Sequence, residues 1–252
     1  MSLPRRLAHG DSAELVHHLG ELRGRLVIAL VALTGGIAIA YGYHHELIQW
    51  LNQPLPPSRR RPVTLGVAEP FMISLKVSLY AGFALALPVI LWQVWSFLAP
   101  ALERGIERTI GVFVAFGSAL FVAGIAFSYK IALPAAIRFL TNYDSHVYDI
   151  QVRASSYYSF ALMSLLAVGL VFELPIFVLA LVRLRVFSAA KLRRSRRVGY
   201  IAVAALAVAL PGVDPVTTAF EMVPLMALFE VSIWLSVLFE RRWRTAQLVP
   251  AP

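Results

Sequence analysis

The stretch Ala154-Ser-Ser-Tyr-Tyr-Ser-Phe-Ala-Leu-Met-Ser-Leu-Leu-Ala-Val-Gly-Leu-Val-Phe-Glu173-Leu-Pro175-Ile-Phe-Val-Leu-Ala-Leu-Val182 contains one charged residue, Glu173. As a helix rising 1.5 Å per residue it would be about 43 Å long, against roughly 30 Å for the hydrocarbon core of a bilayer. The run therefore reads as a membrane span. A carboxylate within it costs about 2.5–3.5 kcal/mol on insertion scales, so Glu173 should face protein or water rather than lipid. From the residue alone two roles stay open: an intramembrane polar group serving function, or a buried, protonated or paired Glu that ties helices together.

The rest of the chain agrees with a membrane class. It is 59% hydrophobic and 15% charged, with a mean hydropathy of +0.71, well outside the soluble range. Further runs with little or no charge lie at Leu26–Tyr43, Val77–Leu102, Thr109–Tyr129, Val198–Val213 and Met222–Phe239, which makes six candidate spans. The expected fold is an all-α membrane protein, one integral domain over residues 1–252 with six transmembrane helices. The last two are short, since Val198 to Leu210 as a helix reaches only about 20 Å. They form either a re-entrant hairpin or spans in a locally thinned bilayer; thinning is preferred.

Lys and Arg between the spans set the orientation. Alternate segments carry 16 and 7 of them, and the richer set includes both termini, which are therefore expected in the cytoplasm. The net charge of +9 is thus a property of loops and gives no case for nucleic acid. No cleavable signal segment is evident, because the first apolar run lies late and ends in Tyr41, Tyr43 and two His. With no cysteine there is no disulfide framework, thiolate metal site or cysteine nucleophile. The pairs His17-His18 and His44-His45 lack further ligands at metal spacing, so no metal is expected.

Gly10-Asp-Ser-Ala-Glu14 reads as a capping box with Asp11 at the N-cap. The helix it starts should lie along the cytoplasmic interface over residues 1–25 before turning into the membrane, with Leu15, Leu19, Leu22 and Leu26 on one face. Glu21 there reads as an i,i+4 partner of Arg25. Pro88 and Pro175 remove ladder hydrogen bonds inside the second and fourth spans, so two bent helices should form a concave wall. Trp92, Trp95 and Phe97 fit an aromatic belt where the second span leaves the bilayer.

Five short motifs, in order along nearly the whole chain, carry a resemblance. His18-Leu-Gly-Glu-Leu-Arg-Gly-Arg25 is similar to an HLxELRxR segment, and Glu69-Pro-Phe with Lys76-Val-Ser-Leu-Tyr80 to the start of a second span. Gln93-Val-Trp-Ser-Phe-Leu-Ala-Pro-Ala-Leu102 is similar to QxWxFxxPxL, Phe172-Glu-Leu-Pro175 to FExP, and Pro224-Leu-Met-Ala-Leu-Phe-Glu230 to PxxxLxE. Together they resemble the TatC family, the multispanning core of the twin-arginine protein translocase. The resemblance implies a glove-like concave bundle and a receptor that binds signal peptides bearing two adjacent arginines. It also implies export of folded proteins across the cytoplasmic (inner) membrane, TatA-type and TatB-type single-span subunits in a multimeric complex, and energy from the proton-motive force without a cofactor.

Two guanidiniums can each be held by a carboxylate in a bidentate pair, a geometry that Lys cannot reproduce. The family's N-terminal acid carries over to Glu21, beside Arg23 in the same segment. Its loop acid carries over less directly, because one extra residue follows Leu102; Glu107 is preferred and Glu103 is held as the alternative, with Phe97 near the same end of the second span. Glu173 matches the family's intramembrane Glu. Asp214, Thr218 and Glu221 share a helical face by spacing. Where Thr218 stands the family commonly has Gln, so Glu221 is expected to take over polar contact with the small partner subunit.

A P-loop, a nucleophile elbow and an HExxH motif are all lacking from the sequence, so an enzyme is not expected. The alternative function is a proton- or ion-coupled secondary transporter using Glu173, although paired broken helices in two halves are not visible.

Overall fold

The computed structural model describes the backbone at residues 9–98, 107–184, 186–211 and 214–247, and side chains at residues 20–98, 110–184, 186–211 and 214–240. Among these residues the chain is helical, with no strand beyond an isolated bridge between Val63 and Arg153. The helices are α1 (His9–Gly42), α2 (His44–Asn52), α3 (Glu69–Leu98), α4 (Glu107–Phe127), α5 (Leu133–Asn142), α6 (Ala154–Val171), α7 (Leu174–Arg183), α8 (Ala189–Arg194), α9 (Arg196–Ala209) and α10 (Pro215–Gln247).

Five described stretches are long and apolar enough to cross a membrane: Gly20–Gly42, Glu69–Leu98, Ile110–Asn142, Ala154–Arg183 and Pro215–Glu240. They overlap the first four expected spans and the sixth. The fifth, α9, has 14 residues, or about 21 Å, and falls short of the core of a bilayer.

The structure differs from expectation in four places. α1 is one helix of 34 residues that starts at His9, so Asp11 lies inside its first turn and no break near residue 25 separates an interfacial segment from the span. α4 continues through a π-helical turn, Ser128–Ala132, into α5, which carries the third span on to Asn142. α10 begins at Pro215, ahead of the expected start of the sixth span at Met222, so the helical face with Thr218 and Glu221 belongs to the last helix. Trp95 is buried and stacks on Phe113 with centroids 4.8 Å apart, so it is core, whereas Trp92 is exposed as a belt residue should be.

α1 and α3 cross at two glycines. A Cβ on Gly36 would lie 2.5 Å from the Gly82 carbonyl oxygen, and one on Gly82 would lie 2.5 Å from the Ile37 nitrogen. Only residues without side chains allow backbones this close, which is how membrane helices gain contact where no hydrophobic effect drives them together. The two helices run antiparallel: beyond the crossing, Leu51 and Leu55 of the α1–α2 arm join Ile73 and Val77, near the start of α3, in one buried cluster.

Three tyrosines close the C-terminal end of α2, where helix carbonyls lack intrahelical partners. Tyr129 donates to the Trp50 carbonyl at 2.8 Å, Tyr157 donates to the Leu51 carbonyl, and Tyr158 donates to Asn52 Oδ1 at 2.8 Å. Nearby, the Glu69 carboxylate accepts from the backbone N–H groups of Leu65 (2.8 Å), Gly66 (3.1 Å) and Ser155 (2.9 Å) and pairs with Arg153 at 3.3 Å. One acid thereby fastens the α2–α3 loop to the start of α6.

A second cluster packs Trp95 of α3 with Phe113 of α4 and Ile176 and Leu179 of α7. A third joins Val168 and Phe172 to Val203 of α9 and to Leu225, Phe229 and Ile233 of α10. Between α1, α3, α4 and α6 the bundle leaves a concave pocket of about 520 Å³, lined by apolar groups such as Ala40, Val77, Leu85, Phe121 and Leu165.

Candidate functional site

Of the expected binding residues, Glu21, Arg23, Phe97 and the backbone of Glu107 lie at one end of the bundle. Glu21 on α1 and Phe97 on α3 each lie fifteen residues, about 22 Å along a helix, from the Gly36–Gly82 crossing. Antiparallel helices therefore bring them to the same level. α4 starts at Glu107 and runs antiparallel to α3: Phe113 stacks on Trp95, and Gly117 lies against Leu91. Counting back from the Trp95–Phe113 stack, the first turn of α4 stands at that end as well.

Glu21 is half-buried and pairs with Arg25, whose Nη2 and Nε lie 2.5 and 3.1 Å from its Oε1. This is the i,i+4 pair the spacing predicts, and its surroundings still leave the carboxylate partly accessible. Arg23 is exposed and Phe97 half-buried. Glu103 and the side chain of Glu107 lie outside the described residues.

Glu173 occupies the break between α6 and α7. Pro175 in the first turn of α7 cannot donate, and its ring excludes the Val171 carbonyl from an ordinary helical position. The backbone recovers by bonding around the break, with the Glu173 carbonyl accepting from Ile176 (3.0 Å) and Phe177 (3.1 Å). The side chain is 2% exposed, and neither oxygen has a hydrogen-bond partner among the described residues. It points at Gly117 of α4, where a Cβ would lie 2.8 Å from Oε2. Of the two environments open to it, Glu173 takes protein, enclosed beside Leu91 and Ile176 and outside the lining of the concave pocket.

In α10, Asp214 caps the helix: Oδ1 accepts the Thr217 N–H at 2.8 Å and Oδ2 its hydroxyl at 2.6 Å, with Pro215 at the first helical position. Thr218 donates back to the Asp214 carbonyl at 3.1 Å. Glu221 is 1% exposed and both its oxygens lack partners among the described residues. The helix thus turns Asp214, Thr217 and Glu221 inward, leaves Thr218 at the edge, and presents Phe220 and Val223 outward. Thr217 was missed by sequence reasoning, although its place three residues after a capping Asp is a readable signal.

Glu230, the acid of the last motif, accepts from the Tyr200 hydroxyl and lies 3.1 Å from Arg196 Nη2. It joins α9 to α10 in the same way that Glu69 joins its loop to α6, so two of the motif acids have structural work.

Comparison with known proteins agrees with this layout. The family model described as Sec-independent protein translocase protein (TatC) matches residues 17–224. A TatC of Carboxydothermus hydrogenoformans is 37% identical over 223 residues, covering 88% of this chain and 92% of its own. One from Deinococcus radiodurans is 35% identical over 249 residues, covering 96% and 92%. A crystal structure of the twin arginine translocase receptor TatC in DDM superposes with a TM-score of 0.77 at 32% identity, over 87% of this chain and 99% of that one. The ordered motifs, the helix break at Glu173–Pro175 and the match over most of the length place the chain in the TatC family of Sec-independent protein translocase proteins.

Proposed function

We propose that the chain is the receptor and core of a twin-arginine translocase, with both termini in the cytoplasm. Glu21 and the acid of the loop after the second span, Glu107 or Glu103, take the two arginines of a signal peptide, with Arg23 and Phe97 beside them. The observation that carries the reading is the convergence of Glu21, Phe97 and the first turn of α4 at one end of the bundle. Glu21 is partly accessible there. The crystallised relative, described as a twin arginine translocase receptor, supports it at 32% identity.

Glu21 already pairs with Arg25 through Oε1, so an incoming guanidinium shares or displaces that pair, and the planar carboxylate edge prefers Arg to Lys. The apolar concave pocket suits the hydrophobic segment that follows the arginines in a signal peptide. TatA-type and TatB-type subunits complete the complex; because Asp214 and Glu221 are buried, Thr218 rather than Glu221 is the polar group they meet on α10, beside the exposed Phe220 and Val223. The proton-motive force supplies the energy, and the short α9 thins the bilayer where cargo crosses.

The test is export of a folded reporter in cells lacking their own core subunit. Export that requires the single-span subunits, collapses with the proton-motive force and stops when the signal's Arg-Arg is changed to Lys-Lys supports the proposal. Movement of a small solute by the chain alone would replace it with transport through Glu173.

A further inference from the structure

A groove of about 370 Å³ runs where α8 and the start of α9 meet α10. Its charged wall is Arg193 and Arg196, and its floor is Ile233, Trp234, Val237 and Leu238, two apolar rows at i,i+4 spacing on α10. Trp234 and Leu238 are 70% and 51% exposed, so the described residues leave them uncovered.

The charges at the groove are not balanced. Lys191–Arg197 holds five cations in seven residues. Arg196 engages Glu230 through Nη2 at 3.1 Å, while its Nε is buried without a partner. Arg193 is exposed and has no ion pair among the described residues. Glu240 lies on the same side, but its Oε2 accepts the Ala189 N–H at 2.9 Å and so is occupied in docking α8.

We propose that this groove is a binding site for an anionic phospholipid of the adjacent leaflet. The phosphate and anionic headgroup lie between the guanidiniums of Arg193 and Arg196, and an acyl chain runs along Trp234 and Leu238. Two arginines offer forked donors to phosphate oxygens, and Trp is the residue that favours the boundary between headgroup and hydrocarbon. Basic pockets between membrane helices take anionic headgroups for the same reasons. The occupant is read from charge complementarity at the mouth and hydrocarbon-facing residues on the floor. It rests on the chain spanning a membrane and not on the translocation reading.

The test needs no transport. The full-length protein is reconstituted into vesicles of phosphatidylcholine and phosphatidylglycerol, with brominated acyl chains on one lipid or the other. The Trp234 signal is taken as the difference between wild type and Trp234→Phe. Brominated phosphatidylglycerol should quench that signal at a mole fraction about fivefold lower than brominated phosphatidylcholine, the size expected of one basic side chain at an anionic surface. Arg193→Glu should abolish the preference, whereas Arg196→Lys, which keeps the Glu230 pair, should weaken it only in part. Equal quenching by the two lipids, or a preference that survives Arg193→Glu, overturns the proposal. So does the absence of quenching by either lipid, which would mean that a second polypeptide covers this face.

Discussion

Substituting Gly82 by Ala tests the α1–α3 crossing on which the placement of Glu21 depends. The new Cβ would stand 2.5 Å from the Ile37 nitrogen, 2.6 Å from its Cα and 2.7 Å from its Cγ1. Ordinary contacts are about 3.5–4.0 Å, so the helices must part by about 1 Å, since two of the three obstructing atoms are backbone and cannot rotate away. Overpacking of this kind costs about 1–3 kcal/mol. Ala in place of Gly inside a helix returns about 0.5–1 kcal/mol, so the comparison needs a glycine of the same helix pair that meets nothing. Gly35 is that control, with open space around its Cβ position. Gly82→Ala should therefore be about 1–3 kcal/mol less stable than Gly35→Ala, because the propensity gain cancels between them. The assay is unfolding in mixed micelles as the SDS fraction rises, followed by far-UV circular dichroism. Gly36→Ala should match Gly82→Ala, and the double variant should cost less than the sum, because helices already parted accept the second methyl. Equal midpoints for Gly82→Ala and Gly35→Ala would refute the close crossing.

The enclosed carboxylates make a second prediction. Glu173→Leu should leave stability unchanged or raise it by about 1–3 kcal/mol, by removing an unpartnered polar group, while export falls; a stability loss with export retained would make Glu173 structural. Glu69→Ala should accelerate amide exchange at Leu65, Gly66 and Ser155 together, since one carboxylate serves all three donors; independent changes would mean they are not held as a unit. Four leucines inserted into α9 would bring it to about 27 Å and should abolish export of a folded reporter without altering the unfolding midpoint.

Span positions were readable because insertion depends on length and hydropathy, which are sums over sequence. Lateral contacts are not sums. Gly36 and Gly82 look like any glycine in an apolar run, and only the fold gives them a partner. The π-helical turn at Ser128–Ala132, which packs against α6 and α10 and carries the third span on to Asn142, likewise has no signal of its own in the sequence. In the site, spacing read the Glu21–Arg25 pair correctly because both members lie on one helix. The inward turn of Glu221 was hidden, since helical periodicity says which residues share a face but not what that face meets. Glu173 was conspicuous as a charge in a span, and its enclosure beside Gly117 came only from the position of α4.

On the proposed function, Glu21 and the loop acid read paired arginines. The direct measurement is the affinity of the detergent-solubilised protein for a labelled Arg-Arg signal peptide and its Lys-Lys counterpart, followed by fluorescence anisotropy in wild type, Glu21→Ala and Glu107→Ala. Bidentate pairing predicts at least about tenfold tighter binding of the Arg-Arg peptide, with the difference erased by either substitution. Equal affinity for both peptides in wild type, or an Arg-Arg preference untouched in Glu21→Ala, would contradict the account.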